Sequence, residues 1–176
     1  MEVSNLGLPL RYVLLFIVML LAQVLICNNI LLFGVGIPFI YIFFIIVLPL
    51  NVSLNLLMTI SFFMGFMVDL FSDTLGLNCL ACLILAVTKK PIFYAYMPNE
   101  DKFLNASPSI LSMGWDNYLK FILTLTGIFC ILIFGIELFS FASFWRIILM
   151  TLTSTFFTML LLVGTDALFN KLQAER

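Results

Sequence analysis

The chain has 176 residues, of which 64% are hydrophobic and only 10% are charged, and its formal net charge is −1. Soluble domains carry about 25% charged residues and about 45–50% apolar ones, so this composition excludes a water-soluble fold and indicates a membrane protein. The small negative net charge argues against a nucleic-acid partner. The sequence also has no histidine, the commonest metal ligand and proton shuttle.

The apolar runs are continuous rather than alternating, which favours helices over barrel strands in lipid. We predict an all-α polytopic membrane protein with one domain over residues 1–176. Its six transmembrane helices are expected at about 12–27, 35–50, 52–69, 74–89, 120–137 and 146–166. The run Lys89-Lys90-Pro91 is expected to end the fourth helix, and residues 89–120 form the largest polar loop.

The distribution of lysine and arginine predicts the orientation. With six spans, one side of the membrane holds Arg11, Lys89, Lys90, Lys102, Lys120, Lys171 and Arg176, and the other holds Arg146 alone. Positive residues in short loops stay in the cytoplasm. Both termini and the 89–120 loop are therefore expected in the cytoplasm, with Asp69 and Asp73 near the outer face.

An acidic stretch follows the third predicted helix. No charged residue lies between Arg11 and Asp69, and Asp73 comes four positions later. Asp73 is expected to cap the N-terminus of the fourth helix. Acids within membrane segments suggest function, and the alternatives for this pair are an ion site, a proton-coupled pair or a contact with another membrane protein. Catalysis by the pair is not expected.

Three further polar features have structural interpretations. Cys79 and Cys82 form one C-x-x-C pair, which favours small buried thiols over a zinc site. Asp166 could pair with Lys89 or Lys90. The last helix has a side rich in small and hydroxyl residues, which predicts close helix packing: Thr151, Thr153, Ser154, Thr155 and Thr158. We predict no catalytic residue, no metal ligand and no cofactor.

The run from Gly65 to Gly76, G-F-M-V-D-L-F-S-D-T-L-G, resembles the signature of MreD, the bacterial rod shape-determining membrane protein family. The resemblance implies a non-enzymatic scaffold of the cell-elongation complex in the bacterial inner membrane, which helps to maintain cell shape and to position peptidoglycan synthesis. It also implies that this run is a partner-binding or structural motif. The candidate residues are Gly65, Asp69, Ser72, Asp73 and Gly76.

The implied main partner is an MreC-like protein, and the MreB filament, RodA and a class B penicillin-binding transpeptidase are further implied partners. Four lysines are candidate cytoplasmic contacts for MreB or anionic lipid: Lys89, Lys90, Lys102 and Lys120. The alternative function is that of a substrate-binding membrane subunit of an energy-coupling-factor vitamin transporter. Such subunits dock through small residues on the first helix, where this chain has only Ala22 amid bulky residues.

Overall fold

The computed structural model describes residues 3–29, 36–74, 76–97, 107–137 and 144–174. Within these ranges the regular secondary structure is helical, with no β-strand, which confirms the all-α prediction. The helices are α1 (Val3–Leu25), α2 (Ile42–Val47), α3 (Leu54–Ser72), α4 (Leu77–Tyr96), α5 (Ile110–Met113), α6 (Trp115–Glu137) and α7 (Phe144–Ala174), with a 3-10 turn at Cys27–Asn29.

In the described part of the chain, four stretches are helical, long and apolar enough to cross a membrane: Leu54–Ser72, Leu77–Tyr96, Trp115–Ile136 and Ile147–Leu168. They correspond to the third, fourth, fifth and sixth predicted spans. The apolar part of α1, Leu10–Leu25, is shorter. The second predicted span, 35–50, differs from a membrane helix, because the described part of it contains only the six-residue helix α2.

Neighbouring helices pack in the order α1, α3, α4, α6 and α7. The 3-10 turn that follows α1 lies beside the end of α3, where the Asn28 side-chain amide donates a hydrogen bond to Ser72 Oγ at 2.6 Å. We call this the acidic end, since Asp69 and Asp73 lie there. The other end of α4, which carries Lys89 and Lys90, is the lysine end. There the Tyr96 and Thr124 hydroxyls, on α4 and α6, lie 2.8 Å apart.

Residues 36–50, the central segment, run inside the bundle from the acidic end to the lysine end, a depth of about 16 Å along α4. Every residue from Tyr41 to Leu48 is at most 4% exposed. Phe39 stacks edge-on against Phe129 of α6, with ring centroids 5.2 Å apart. Non-helical backbone at membrane depth is tolerated only where protein surrounds it, and this burial meets that condition.

Side chains from α1 and α7 satisfy the backbone where the central segment is not helical. Ser154 Oγ and Thr158 Oγ1 accept hydrogen bonds from the N–H groups of Ile37 and Phe39, both at 3.0 Å. The buried Gln23 accepts from the N–H of Ile40 at 2.9 Å. The hydroxyl-rich side of α7 is thus a packing surface, as predicted.

Two lysines of α4 bind the backbone at the C-terminal end of the central segment, which lies at the lysine end of the bundle. Pro49 has no N–H to donate to the carbonyl of Ile45, so helix α2 ends there. Lys89 supplies the missing donor, because its Nζ lies 3.0 Å from Ile45 O and also contacts Leu48 O. Lys90 Nζ donates to Val52 O at 2.8 Å.

These contacts correct the predicted helix boundaries. The fourth helix was expected to stop at Lys89-Lys90-Pro91, but α4 continues through Pro91 to Tyr96. Its two lysines donate to backbone carbonyl groups between residues 45 and 52 instead of extending into water. Helix α6 likewise begins at Trp115 and α7 extends to Ala174. The predicted 89–120 loop therefore contains the end of α4, all of α5 and the start of α6, and its residues 98–106 lie outside the described ranges.

We expect Lys89→Met to lower the free energy of unfolding by about 1–3 kcal/mol, because it leaves buried carbonyl groups without a donor. The matched control is Lys120→Met, since Lys120 is exposed on α6; a surface substitution of this kind stays within about 0.5 kcal/mol. Thermal unfolding of the purified protein in mild detergent measures both. Equal stability of the two variants would show that Lys89 does not hold the central segment.

Candidate functional site at the α3–α4 joint

The joint between α3 and α4 contains all five residues of the predicted motif. Helix α3 ends at Asp73, which has a left-handed backbone (φ 53°) and donates its N–H to the carbonyl of Asp69. Gly76, with φ 78°, precedes α4. Glycine adopts positive φ freely and aspartate tolerates it better than most residues. The two positions together reverse the chain direction.

Asp69, rather than Asp73, caps the start of α4, so the prediction for Asp73 is wrong. The carboxylate of Asp69 accepts from the backbone N–H groups of Asn78 and Cys79 at 3.1 and 2.9 Å. It also accepts from the side chains of Thr74 and Asn78 at 2.5 and 3.0 Å. Asp69 is only 5% exposed. Its position one turn before the end of α3, on the side facing α4, places the carboxylate opposite the free N–H groups.

Gly65 lies one turn below Asp69 on the same face of α3. A Cβ atom at this position would come within 2.6 Å of Asn78 O and 2.7 Å of the Cys79 backbone. Small residues permit this kind of close approach between membrane helices. The glycine and the aspartate of the motif thus act together: the first lets the helix backbones meet, and the second satisfies the helix start that the contact buries.

Ser72 and Asp73 occupy different environments. Ser72 is half-buried and joins α3 to α1 through Asn28. Asp73 is exposed, as are Leu70 and Phe71 before it, which are 58% and 63% exposed. Of the two acids in the motif, only Asp73 has its carboxylate open to a partner.

Four polar residues that belong to this site were not among the predicted ones: Gln23, Asn28, Tyr41 and Asn78. The Tyr41 hydroxyl donates to Asn78 Oδ1 at 2.8 Å, which connects the central segment to the joint. Gln23 Nε2 donates to Asn28 Oδ1 at 2.9 Å. Isolated amide side chains within apolar helices are the sequence signal that could have identified Gln23 and Asn78.

The chemistry available at the joint is that of a hydrogen-bonded anchor. Both carboxylate oxygens of Asp69 are occupied by donors. Cys79 and Cys82, like Cys27 and Cys130, are free and buried, which agrees with the prediction of structural thiols. Within the described ranges, no three His, Cys, Asp or Glu residues are grouped so as to hold a metal ion.

A cavity of about 410 Å³ lies beside the joint, between the ends of α1, α3 and α6, the start of α4 and the central segment. Its size falls within the range of small-molecule sites. One wall is apolar and includes Ile37, Phe39, Val68, Leu77, Ile133 and Phe134.

The four predicted cytoplasmic lysines are not equivalent. Lys89 is 1% exposed and occupied by carbonyl groups, so it is unavailable to a partner. Lys90 is half-buried and Lys120 is exposed, while Lys102 lies outside the described residues. Asp166 was predicted to pair with Lys89 or Lys90. Its Oδ2 accepts from the N–H of Ile110 at 3.0 Å, while both lysines donate to carbonyl groups.

No family model, no curated protein and no solved structure matches this chain. The class of the protein is therefore assigned from its fold alone: it is an all-α protein whose long apolar helices suit a membrane.

Proposed function

We propose that this protein is a non-enzymatic membrane scaffold of the bacterial cell-elongation complex, and that it binds an MreC-like partner at the acidic end. The supporting observation is the build of the motif that resembles the MreD signature. Gly65 and Asp69 hold the end of α3 against the start of α4, and Asp73 and Gly76, which lie between the two helices, are exposed. An exposed carboxylate beside two closely packed helices suits a docking role.

The distribution of charge supports an orientation with the acidic end outside. The helix directions place the backbones of Arg11, Lys120 and Lys171 at the lysine end, together with Lys89 and Lys90. Basic residues mark the cytoplasmic side of a membrane protein. The exposed Lys120 is then available to the MreB filament or to anionic lipid, and RodA and the transpeptidase are partners within the same complex.

The partner contact is tested with the double variant Phe71→Ala and Asp73→Asn. We expect it to capture an MreC-like protein in mild detergent about tenfold less strongly, a loss of about 1.4 kcal/mol in binding free energy. Both side chains are exposed, and asparagine tolerates the left-handed backbone, so the variant keeps its melting temperature. Asp116→Asn is the matched control, because Asp116 is exposed at the lysine end.

Two outcomes would contradict the scaffold proposal. Capture that is unchanged in the double variant would remove the Asp73 turn from the interface. Recovery of an ATP-hydrolysing transporter module in place of an MreC-like protein would favour the second candidate, a substrate-binding subunit of an energy-coupling-factor transporter. The observation that favours that candidate is the cavity beside the joint.

A further inference from the structure

The cavity at the acidic end carries an inference that does not rest on the scaffold function. Its polar wall consists of Gln23, Asn28, Ser72, Asp73, Thr74 and Asn78. Most of these groups are already bonded to one another. Asn78 donates to Asp69 and accepts from Tyr41, and Gln23 is fully occupied by Asn28, Pro38 and Ile40.

Among the described side chains that line the cavity, the one charge left to a ligand is negative. Asp73 contributes an exposed carboxylate, and no lysine or arginine lines the cavity in the described part of the chain. Asp73 also stands at the C-terminus of α3, where the helix dipole is negative. The start of α4, which would otherwise attract an anion, is already neutralised by the carboxylate of Asp69.

The remaining residues that line the cavity are apolar and suit an apolar group. Ile37 and Leu77 line the cavity and are half-buried, so each offers accessible apolar surface to a ligand, whereas Phe39, Val68 and Phe134 line it with at most 6% of their surface exposed.

We propose that this cavity binds a small organic cation, an ammonium group at Asp73 carrying an apolar body that packs against Ile37 and Leu77. The anionic alternatives, such as phosphates and carboxylates, are disfavoured by the same carboxylate.

Three probes of matched size test the charge preference: 3-phenylpropylammonium, 3-phenylpropan-1-ol and 3-phenylpropanoate. Each is titrated into the full-length protein in mild detergent, and the shift in melting temperature gives an apparent affinity. We expect the ammonium probe to bind at least about tenfold more tightly than the carboxylate probe, with the alcohol between them. Asp73→Asn removes most of the difference between ammonium and alcohol, whereas Asp116→Asn leaves it unchanged.

A second variant tests the location. Val24→Phe places a ring in the cavity from α1 and abolishes binding of all three probes, while Leu25→Phe, at a 66% exposed neighbour, does not. Each variant experiences the same partition of probe into micelles, so comparison with the unmodified chain removes that effect. If Val24→Phe is too unstable to purify, Asp73→Asn still decides the charge preference. Absence of binding, preference for the anion, or binding that survives Val24→Phe would overturn the proposal, whatever the result of partner capture.

Discussion

Asp69→Ala is expected to lower the melting temperature by about 10 °C, the largest effect of any single substitution that we propose. It leaves two backbone N–H groups and two side chains without their acceptor in a buried joint. Loss of an N-cap costs up to about 2 kcal/mol, and each buried group left unpaired adds about 1–3 kcal/mol. We expect a total of about 3–5 kcal/mol, and a chain of this length loses roughly 2–4 °C per kcal/mol.

The conservative change Asp69→Asn separates charge from hydrogen bonding. Its amide keeps one acceptor oxygen but directs an NH₂ group at a backbone donor, either that of Asn78 or that of Cys79, so we expect an intermediate loss. Asp73→Asn makes the same change of charge four residues later, at an exposed site, and should leave the melting temperature within about 2 °C. Similar effects at the two positions would show that Asp69 does not anchor α4.

Gly65→Ala is expected to lower the free energy of unfolding by about 1–3 kcal/mol, and Gly65→Leu by more, because added atoms collide with the backbone of α4. Backbone atoms cannot move aside as a flexible side chain would, so the two helices must separate. Separation also lengthens the hydrogen bonds from α4 to Asp69. Thermal unfolding in detergent measures the loss.

The control for this glycine is Gly127→Ala in the middle of α6. No atom lies within 4 Å of a Cβ added there, so we expect no loss and up to about 1 kcal/mol of gain from better helix propensity. Equal tolerance of alanine at both glycines would mean that the close contact between α3 and α4 is not required for stability.

Composition and local pattern were sufficient to predict the helical class and the packing role of the hydroxyl residues on α7. They failed to identify which aspartate caps α4. Ser72 and Thr74 beside Asp73 are typical of a local cap, but the position of Asp69 on the face of α3 that meets α4 is a tertiary property. A local sequence pattern does not show which face of α3 meets α4.

The end of α4 was mispredicted for a similar reason. Two lysines followed by a proline ordinarily mark the boundary of a membrane helix. Here Lys89 and Lys90 find carbonyl groups about forty residues earlier in the chain, so the helix continues past them. The structure of the central segment could not be predicted either. Its apolar composition fits a membrane helix as well as a buried, partly unwound chain.

The central segment also constrains the order in which the protein matures. The N–H groups of Ile37 and Phe39 find their acceptors on α7, 117 and 119 residues later in the chain. During synthesis these donors emerge long before Ser154 and Thr158 exist. The early helices therefore enclose residues 36–50 with these two backbone donors still unmatched, and the two hydrogen bonds form only once the last helix has been made.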